Sequence, residues 1–344
     1  MTQPVRIGFV GAGGIVQSRH IPNLQNIAGV ELVSVCNRSQ ESGERVAQAF
    51  GLRKVFSDWH DVVHDPDIDV VWIGTWPYLH CPVTLEALAA GKHVFCQARM
   101  AMNVKEARRM RDAAKSSGRV TMLCPPPMGM KGGRMVRKIL QDGVLGKLYT
   151  IHFQDLSGMY LDPAAPLSWR QREDLSGFNT LTVGIYAEIV YRWLGRARNV
   201  TAQAKTFISE RPSRDGGTQP VTRPDVVMAL SGMENGALMR WEWSALASPD
   251  PICCLVVYGQ GGALLYDFKT DEIALSKPGG AWESVPVPPD MIQPWTVEQD
   301  FIAAIREGKE VHPDFEDGVQ YMEFTEAVFR SAAGGRRIDL PLAD

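Results

Sequence analysis

The chain has 344 residues, of which 45% are hydrophobic and 22% are charged, and its formal net charge is −3. This composition is typical of a globular protein and leaves room for two domains of ordinary size. The slightly acidic balance provides no overall positive field for nucleic acid or an anionic membrane, so we expect neither partner. No apolar run approaches the length of a membrane span, and a strand-like segment begins at Val5, which leaves no room for a signal peptide. We therefore expect a cytoplasmic protein.

The cysteines and histidines show no spacing that indicates a disulfide framework or a metal site. None of the cysteines forms a C-x-x-C pair, and several lie beside apolar segments, as small core residues do. The histidines have no H-E-x-x-H or similar arrangement. We expect no disulfide and no bound metal.

A glycine-rich turn follows the first apolar run of the chain. Gly11 permits a tight turn, and Gly13 lets backbone amides approach a pyrophosphate, whose charge the start of the next helix stabilises. Val16 stands where the third glycine of the G-x-G-x-x-G fingerprint is found. The pattern predicts a dinucleotide site that includes Gly11, Gly13, Gly14 and Ile15; the alternative is a strand-helix-strand unit that binds no ligand.

The end of the second predicted strand indicates which dinucleotide is bound. Asn37 and Arg38 follow this strand, at about the spacing of the residue that recognises the ribose. An acidic residue there favours a free ribose hydroxyl, whereas a neutral and a cationic residue favour a 2′-phosphate. We therefore expect NADP in preference to NAD, although an asparagine can also bond the hydroxyl.

The first 124 residues alternate predicted strands with predicted helices, which indicates a doubly wound parallel sheet of six strands. Ligands bind such sheets at the carboxyl ends of the strands. Thr75, Trp76 and His80 follow the fourth strand, and Gln97 and Ala98 follow the fifth. We expect these residues to face the cofactor. The proline run at 125–127 marks the end of this Rossmann domain.

Residues 125–344 show a different pattern, in which several strands follow one another without helices between them. Such strands pair antiparallel, so we expect an α+β domain with one broad, mainly antiparallel sheet. The C-terminal helices, within residues 295–331, can pack back toward the first domain.

Several short motifs occur along the chain: the first glycine turn, the segments 75–80 and 90–96, Trp169-Arg170, Leu175-Ser176-Gly177, Asp317-Gly318 and Arg330-Ser331-Ala332. Together they resemble the Gfo/Idh/MocA family of oxidoreductases. The resemblance implies a Rossmann domain, an open antiparallel sheet domain that binds substrate and commonly forms homodimers or homotetramers, and hydride transfer between a nicotinamide and a polyol, sugar or related small molecule.

The chain departs from the family at three positions that usually carry the chemistry. Ala98 replaces the lysine of the family's Glu-Lys-Pro segment, Thr182 replaces an aspartate, and Tyr186 replaces a histidine. A spacing of four residues places Thr182 and Tyr186 on one helix face. The resemblance therefore implies an atypical active site.

Tyr186 is our candidate proton donor or acceptor, with Thr182 beside it. A phenol can exchange a proton when a nearby cation lowers its pKa, and Arg99 or Arg170 can supply that cation. The alternative is that Tyr186 only packs and donates one hydrogen bond.

Other residues are further candidates for the site. Arg170 can orient an anionic or polyhydroxy substrate through its planar donors, and Trp169 matches a family position beside cofactor and substrate. His80 is expected to form a wall of the nicotinamide pocket or to be a core histidine. Asp155, Tyr160 and Asp162 are candidate specificity residues, and the alternative is that they are solvated side chains without a role in binding.

We expect an NADP- or NAD-dependent dehydrogenase or reductase that acts on a hydroxyl or carbonyl of a sugar-like, polyol or cyclic compound. One alternative is a lyase or hydratase that retains its cofactor and uses transient oxidation. Another is a non-catalytic NAD(P)-binding subunit, because the lysine, aspartate and histidine are all replaced.

Overall fold

The computed structural model describes residues 3–125, 130–213, 216–247 and 250–343. The chain divides into two compact units. The first unit comprises Met1–Pro125 and Thr296–Met322, and the second comprises Pro126–Trp295 and Glu323–Asp344. Residues 126 and 127 of the proline run lie outside the described residues.

The first unit contains a six-stranded sheet in which every recorded strand pair is parallel. The strand order is 3-2-1-4-5-6, with the first strand at the point where the order reverses. This is the doubly wound arrangement that the alternating pattern predicts, and the expectation is confirmed. The strands are β1 (Val5–Val10), β2 (Val30–Cys36), β3 (Lys54–Phe56), β4 (Val70–Ile73), β5 (His93–Cys96) and β6 (Thr121–Leu123).

The helices that flank this sheet begin and end at residues that favour helix termini. Ser39 accepts a hydrogen bond from the Ser42 amide at the start of the second helix, and Gly51 ends that helix with a φ of 74°. The helices are α1 (Ile21–Gln25), which follows a π-helical turn at Val16–His20, α2 (Gln40–Phe50), α3 (Trp59–His64), α4 (His80–Ala89) and α5 (Val104–Ser117).

The second unit contains a nine-stranded sheet within the described residues. All its neighbouring strands are antiparallel except one central parallel pair, which confirms a large, mainly antiparallel sheet. Its helices are α6 (Gly133–Gln141), α7 (Glu173–Ser176) and α8 (Val183–Leu194). In order across the sheet, the strands are β16 (Glu283–Val285), β15 (Glu272–Ser276), β14 (Gly262–Asp267), β13 (Ile252–Gly259), β7 (Leu148–Leu156), β12 (Leu238–Ser244), β11 (Val226–Met233), β8 (Ala197–Lys205) and β17 (Ile338–Asp339), while β9 (Glu210–Pro212) and β10 (Thr218–Pro220) form a separate ribbon.

The two faces of the large sheet differ in burial. Phe153, Trp241 and Trp243 are fully buried on one face, where their ring centres lie within 6.0 Å of one another. Met228 and Leu230 project from the other face and are more than half exposed. Alternation along each strand therefore separates an aromatic core face from an exposed, partly apolar face.

The chain ends with two long helices, α9 (Val297–Glu307) and α10 (Phe315–Gly334). α9 belongs to the first unit, where Phe301 meets the stacked rings of Trp72 and Phe95 edge-on. The boundary between the units falls within α10. Gly318 lets this helix approach Met100 closely, because a β-carbon there would collide with the methionine sulfur. None of the helices in the described ranges combines the length and apolar composition needed to cross a bilayer.

Candidate active site

The glycine turn after β1 packs against the end of β4. Gly11 has a φ of +82°, and a β-carbon there would lie 2.7 Å from the Thr75 methyl and 2.8 Å from its amide nitrogen. Gly13 differs, because the nearest atom to an added β-carbon is the Gly74 oxygen at 4.0 Å, and Gly14 has no neighbour within 4 Å. Gly11 is thus required by the fold, whereas Gly13 and Gly14 leave space open to a ligand.

A cleft of about 470 Å³ opens at this turn. It brings together residues from the ends of the first, second and fourth strands, which is where a doubly wound sheet binds ligands. The predicted site residues among those that line it are Gly11, Gly13, Asn37, Arg38, Thr75 and Trp76.

The amide of Asn37 holds the turn in place. Its Oδ1 accepts a hydrogen bond of 2.7 Å from the Ala12 amide, and its Nδ2 donates to the Ser42 hydroxyl at 3.0 Å. Arg38 follows, with its guanidinium 5.5 Å from the centre of the Trp76 ring. Asn37 therefore braces the turn against the start of α2, and Arg38 provides the cation and the stacking surface of the cleft.

His80 is a buried side chain that connects two backbone segments, which corresponds to the alternative of a core histidine. Its side chain is 1% exposed, with Nδ1 2.9 Å from the Arg99 oxygen and Nε2 3.0 Å from the Thr75 oxygen. Burial lowers the pKa of His80, so the ring is neutral and donates to one of these oxygens. It links the segment after β4 to the segment after β5.

Gln97 is part of a buried polar network that the sequence analysis did not identify. Its Nε2 lies 2.5 Å from His20 Nε2, and His20 Nδ1 lies 2.5 Å from Glu298 Oε1. Because the amide can only donate through Nε2, the imidazole accepts there and donates from Nδ1 to the carboxylate. Ala98 comes next and is partly exposed, with no polar atom in its side chain.

In the second unit, Thr182 and Tyr186 lie one turn apart at the start of α8, as the spacing predicts. The Thr182 hydroxyl donates a short hydrogen bond to Asp155 Oδ2. The Tyr186 hydroxyl is 2.9 Å from the Cys253 sulfur, which donates to it. Four polar side chains from one helix and two neighbouring strands therefore converge.

The acidities of this cluster differ from the expectation. Burial raises the pKa of Tyr186, and the nearby thiol and carboxyl raise it further, so the predicted lowering of its pKa by a cation is wrong. Burial also raises the pKa of Cys253, to about 12, and the pKa of Asp155. Tyr186 is consequently a neutral phenol that can donate a hydrogen bond.

Trp169 and Arg170 form a stacked pair on a single helical turn. Ser168 caps this turn by accepting a hydrogen bond from the Arg170 amide at 3.3 Å. The Arg170 guanidinium lies 4.4 Å from the centre of the Trp169 ring and is exposed. The stacking orients the planar donors of Arg170, which suits them to a polyhydroxy or anionic ligand.

One group of potential metal ligands is found in the described part of the chain. The ligand atoms of His312, Asp314 and Asp317 lie within 4.8 Å of one another. His312 Nδ1 is 2.8 Å from an Asp317 oxygen, and that same oxygen accepts from the Asp314 amide at 3.0 Å. These contacts cap the start of α10, a structural role for the aspartate of the Asp317-Gly318 motif.

Comparison with known proteins agrees with this architecture. The family model described as the oxidoreductase family with an NAD-binding Rossmann fold matches residues 5–124. The family model of the GFO/IDH/MocA C-terminal domain matches residues 134–265.

Individual relatives cover much of the chain. A levoglucosan dehydrogenase from Pseudarthrobacter phenanthrenivorans is 27% identical over 349 residues, which cover 89% of this chain and 89% of the relative. An inositol 2-dehydrogenase from Klebsiella pneumoniae is 30% identical over 147 residues, which cover 41% of this chain and 43% of the relative. The solved structure of a levoglucosan dehydrogenase with NADH and levoglucosan is 25% identical, with a TM-score of 0.86 over 99% of this chain and 100% of the other.

These matches confirm the resemblance that the motifs carry. The first unit is an NAD-binding Rossmann domain, and the matched relatives are dehydrogenases and reductases of small molecules. The chain belongs to the Gfo/Idh/MocA family of oxidoreductases, as a dehydrogenase or reductase.

Proposed function

We propose that this protein transfers a hydride between NADP or NAD and a hydroxyl or carbonyl of a sugar, a polyol or a related cyclic compound. The observation that carries the proposal is the open space beside Gly13, which lines the cleft at the end of β1. The substrate class is supported by relatives named for levoglucosan and inositol, which are both polyhydroxy compounds.

The residues of the cleft fit a nicotinamide dinucleotide. The backbone at Gly11, Gly13, Gly14 and Ile15 would hold the pyrophosphate, because space at the turn admits a close approach. The adenosine half would be held by Arg38 and Trp76, and Thr75, Ala98 and Trp169 are proposed to contact the nicotinamide half. His80 and Gln97 are buried, so they would support that half through the segments that they brace. The bound group would supply a hydride acceptor or donor.

We propose NADP as the preferred cofactor. The end of β2 carries no carboxylate, and the amide of Asn37 is occupied by the Ala12 amide and by Ser42. The Arg38 guanidinium is thus the group at this position that suits a 2′-phosphate. NADPH binding tighter than NADH, with the advantage lost in Arg38→Ala, is the expected result, and much tighter NADH binding rejects the preference.

Two side chains of the second unit are proposed to contact the substrate, and a third to support them. The neutral Tyr186 phenol would donate a hydrogen bond to a substrate oxygen, and Arg170 would bind neighbouring hydroxyls through its planar donors. Thr182 would act beside them through its hydrogen bond to Asp155. These roles suit a substrate that is rich in hydroxyl groups.

The exposed face of the large sheet supports a homodimer or homotetramer. Met228, Leu230 and Leu238 are each more than half exposed on that face, together with Tyr258 from a strand further along the sheet. Apolar side chains grouped in this way mark interaction surfaces. We propose that a second copy of the chain covers them.

The experiment is a turnover screen with the native protein. Anhydrosugars, inositols, other polyols and aldoses are each incubated with NAD and with NADP, and the absorbance of the reduced nicotinamide is followed together with product identity. We expect oxidation of at least one class with stoichiometric cofactor reduction. Tight cofactor binding with no turnover on any class would refute the proposal, as would product formation without net change of cofactor.

A further inference from the structure

A carboxyl group faces the start of α8 from the core side of the large sheet. Asp155 is in β7, where its Cα pairs with Trp243 on one side and with Cys253 on the other. Because side chains alternate between faces, Asp155 points to the same face as the buried Phe153 two residues earlier. It is therefore on the aromatic core face, at the strand end where Thr182 and Tyr186 are found.

We propose that Asp155 is the acid–base group of this enzyme, accepting the proton of the substrate hydroxyl during oxidation and returning it during reduction. The inference rests on the proposed function, because it requires a hydroxyl or carbonyl substrate. The three family positions that usually carry this chemistry hold Ala98, Thr182 and Tyr186, so none of them provides a carboxylate or an amine.

The geometry around Asp155 suits a reacting group. The Thr182 hydroxyl donates to Asp155 Oδ2, which orients the carboxyl and makes Thr182 a positioning residue. Asp155 remains partly exposed, so a ligand can reach it, while Tyr186 is 8% exposed and Cys253 is 6% exposed. Of these ionisable groups, the carboxyl belongs to the most exposed residue.

The environment of Asp155 also makes its carboxylate a better proton acceptor at neutral pH than the neighbouring thiol and phenol. Burial raises the pKa of Asp155, the Thr182 hydrogen bond, the neighbouring Cys253 thiol and the Lys269 charge lower it, and burial prevails. A carboxylate with a raised pKa is a stronger base than that of an ordinary aspartate, which suits it to accept a proton. Burial raises the pKa of Cys253 to about 12 and also raises the pKa of Tyr186, so both stay protonated at neutral pH.

The proposed step conserves atoms and electrons. During oxidation the O–H proton would move to the Asp155 carboxylate. The hydrogen on the hydroxyl-bearing carbon would leave with its electron pair, for which a bound nicotinamide would supply the acceptor. The electrons of the O–H bond form the C=O bond of the product. The proton on Asp155 then passes to solvent, and reduction follows the reverse course.

The first test compares Asp155→Asn with the native protein on a substrate found in the screen. The amide has the same shape and can still accept from Thr182, so folding is preserved. We expect kcat to fall by roughly 10²–10⁴, the range for loss of a general base, with a smaller change in KM. The native kcat for oxidation should decrease as the pH falls and Asp155 is protonated, and this decrease should disappear in the variant.

The matched control is Asp142→Asn. Asp142 is half exposed at the end of α6, where its carboxylate pairs with Lys138, and the change should leave kcat and its pH profile as in the native protein. A structural effect of losing a carboxylate would not remove the acidic decrease selectively. Turnover in Asp155→Asn that keeps the native rate and pH profile would overturn this inference alone.

The second test does not require turnover. The native protein without cofactor is labelled with ¹³C at the aspartate carboxyls, and the resonance missing from Asp155→Asn is titrated. We expect a midpoint above the ordinary aspartate value of about 3.9. A midpoint at or below that value overturns the inference. A native protein that turns over no compound in the screen refutes the proposed function and this inference with it.

Discussion

Replacing Gly13 with alanine tests whether the cleft at the end of β1 holds a dinucleotide. Gly13 does not have a left-handed φ, and an added β-carbon has only the Gly74 oxygen nearby, at 4.0 Å. Alanine is thus tolerated by the fold, and by restricting the unfolded chain it should stabilise the protein by about 0.4–1 kcal/mol. The same methyl group would occupy the space that a pyrophosphate needs.

The expected loss is in binding alone. Displacing the pyrophosphate removes one or more hydrogen bonds to a charged group, worth about 1.5–3 kcal/mol each. At about 1.4 kcal/mol for each tenfold change, Kd for the reduced cofactor should rise by roughly 10-fold to 150-fold. Fluorescence titration with NADPH and NADH gives Kd, and thermal unfolding of the protein without cofactor gives stability.

Two further glycines serve as comparisons. Gly11→Ala should lower Tm, because its β-carbon would meet Thr75 at 2.7 Å at a left-handed φ. Gly334→Ala, where the nearest atom is the Arg336 Cγ at 3.6 Å, should raise Tm as Gly13→Ala does but leave Kd nearly unchanged. Native-like affinity in Gly13→Ala would refute the reasoning, because the pyrophosphate would then not approach this glycine.

Two other predictions concern the second unit. Tyr186→Phe should reduce turnover by the loss of one neutral hydrogen bond, about 0.5–1.5 kcal/mol. The pH dependence of kcat, measured by steady-state kinetics, should stay as in the native protein. If the decrease of kcat at one end of the pH range disappears in the variant, the phenol is the group that carries the proton. Leu230→Lys should convert the proposed oligomer to monomers, as measured by light scattering. The control Val144→Lys, at an exposed residue after α6, should leave the oligomer intact. A monomeric native protein contradicts the proposed interface.

The parallel sheet and its glycine turn could be predicted from the sequence because both depend on local signals. Buried parallel strands are continuously apolar, and β4 is buried at all four of its positions. The turn requires glycine at position 11 for steric reasons that any such turn shares. The antiparallel sheet was likewise predictable from strands that follow one another without helices.

The roles of individual polar side chains could not be predicted in the same way, because they depend on partners distant in sequence. Asn37 binds the amide of Ala12, 25 residues away, and His20 meets Glu298 across 278 residues. The direction of the Tyr186 pKa depends on its burial and on Cys253, 67 residues away. The sequence indicates Asp155 only as a candidate specificity residue. Its contact with Thr182 could not be predicted, because that contact depends on how α8 packs against the sheet.

That contact also explains why a threonine suits position 182 in this chain. An aspartate there would place a second carboxylate beside Asp155 in a half-buried setting, where like charges at ~4 Å repel by about 4 kcal/mol at an effective dielectric of 20. One of the two carboxyls would then have a raised pKa, as in other paired carboxylates.

Thr182→Asp therefore tests whether the two positions compete for one charge. A group with a raised pKa in the folded state stabilises the protein only while it is protonated. Relative to the native protein, the variant should be least stable at neutral pH and should regain stability as the pH falls through that raised pKa, whereas Thr182→Asn should show no such dependence. The free energy of unfolding, measured in urea at several pH values, decides the outcome. A constant difference between Thr182→Asp and the native protein across this pH range would show that the side chain at 182 turns away from Asp155, and would remove the positioning role of Thr182.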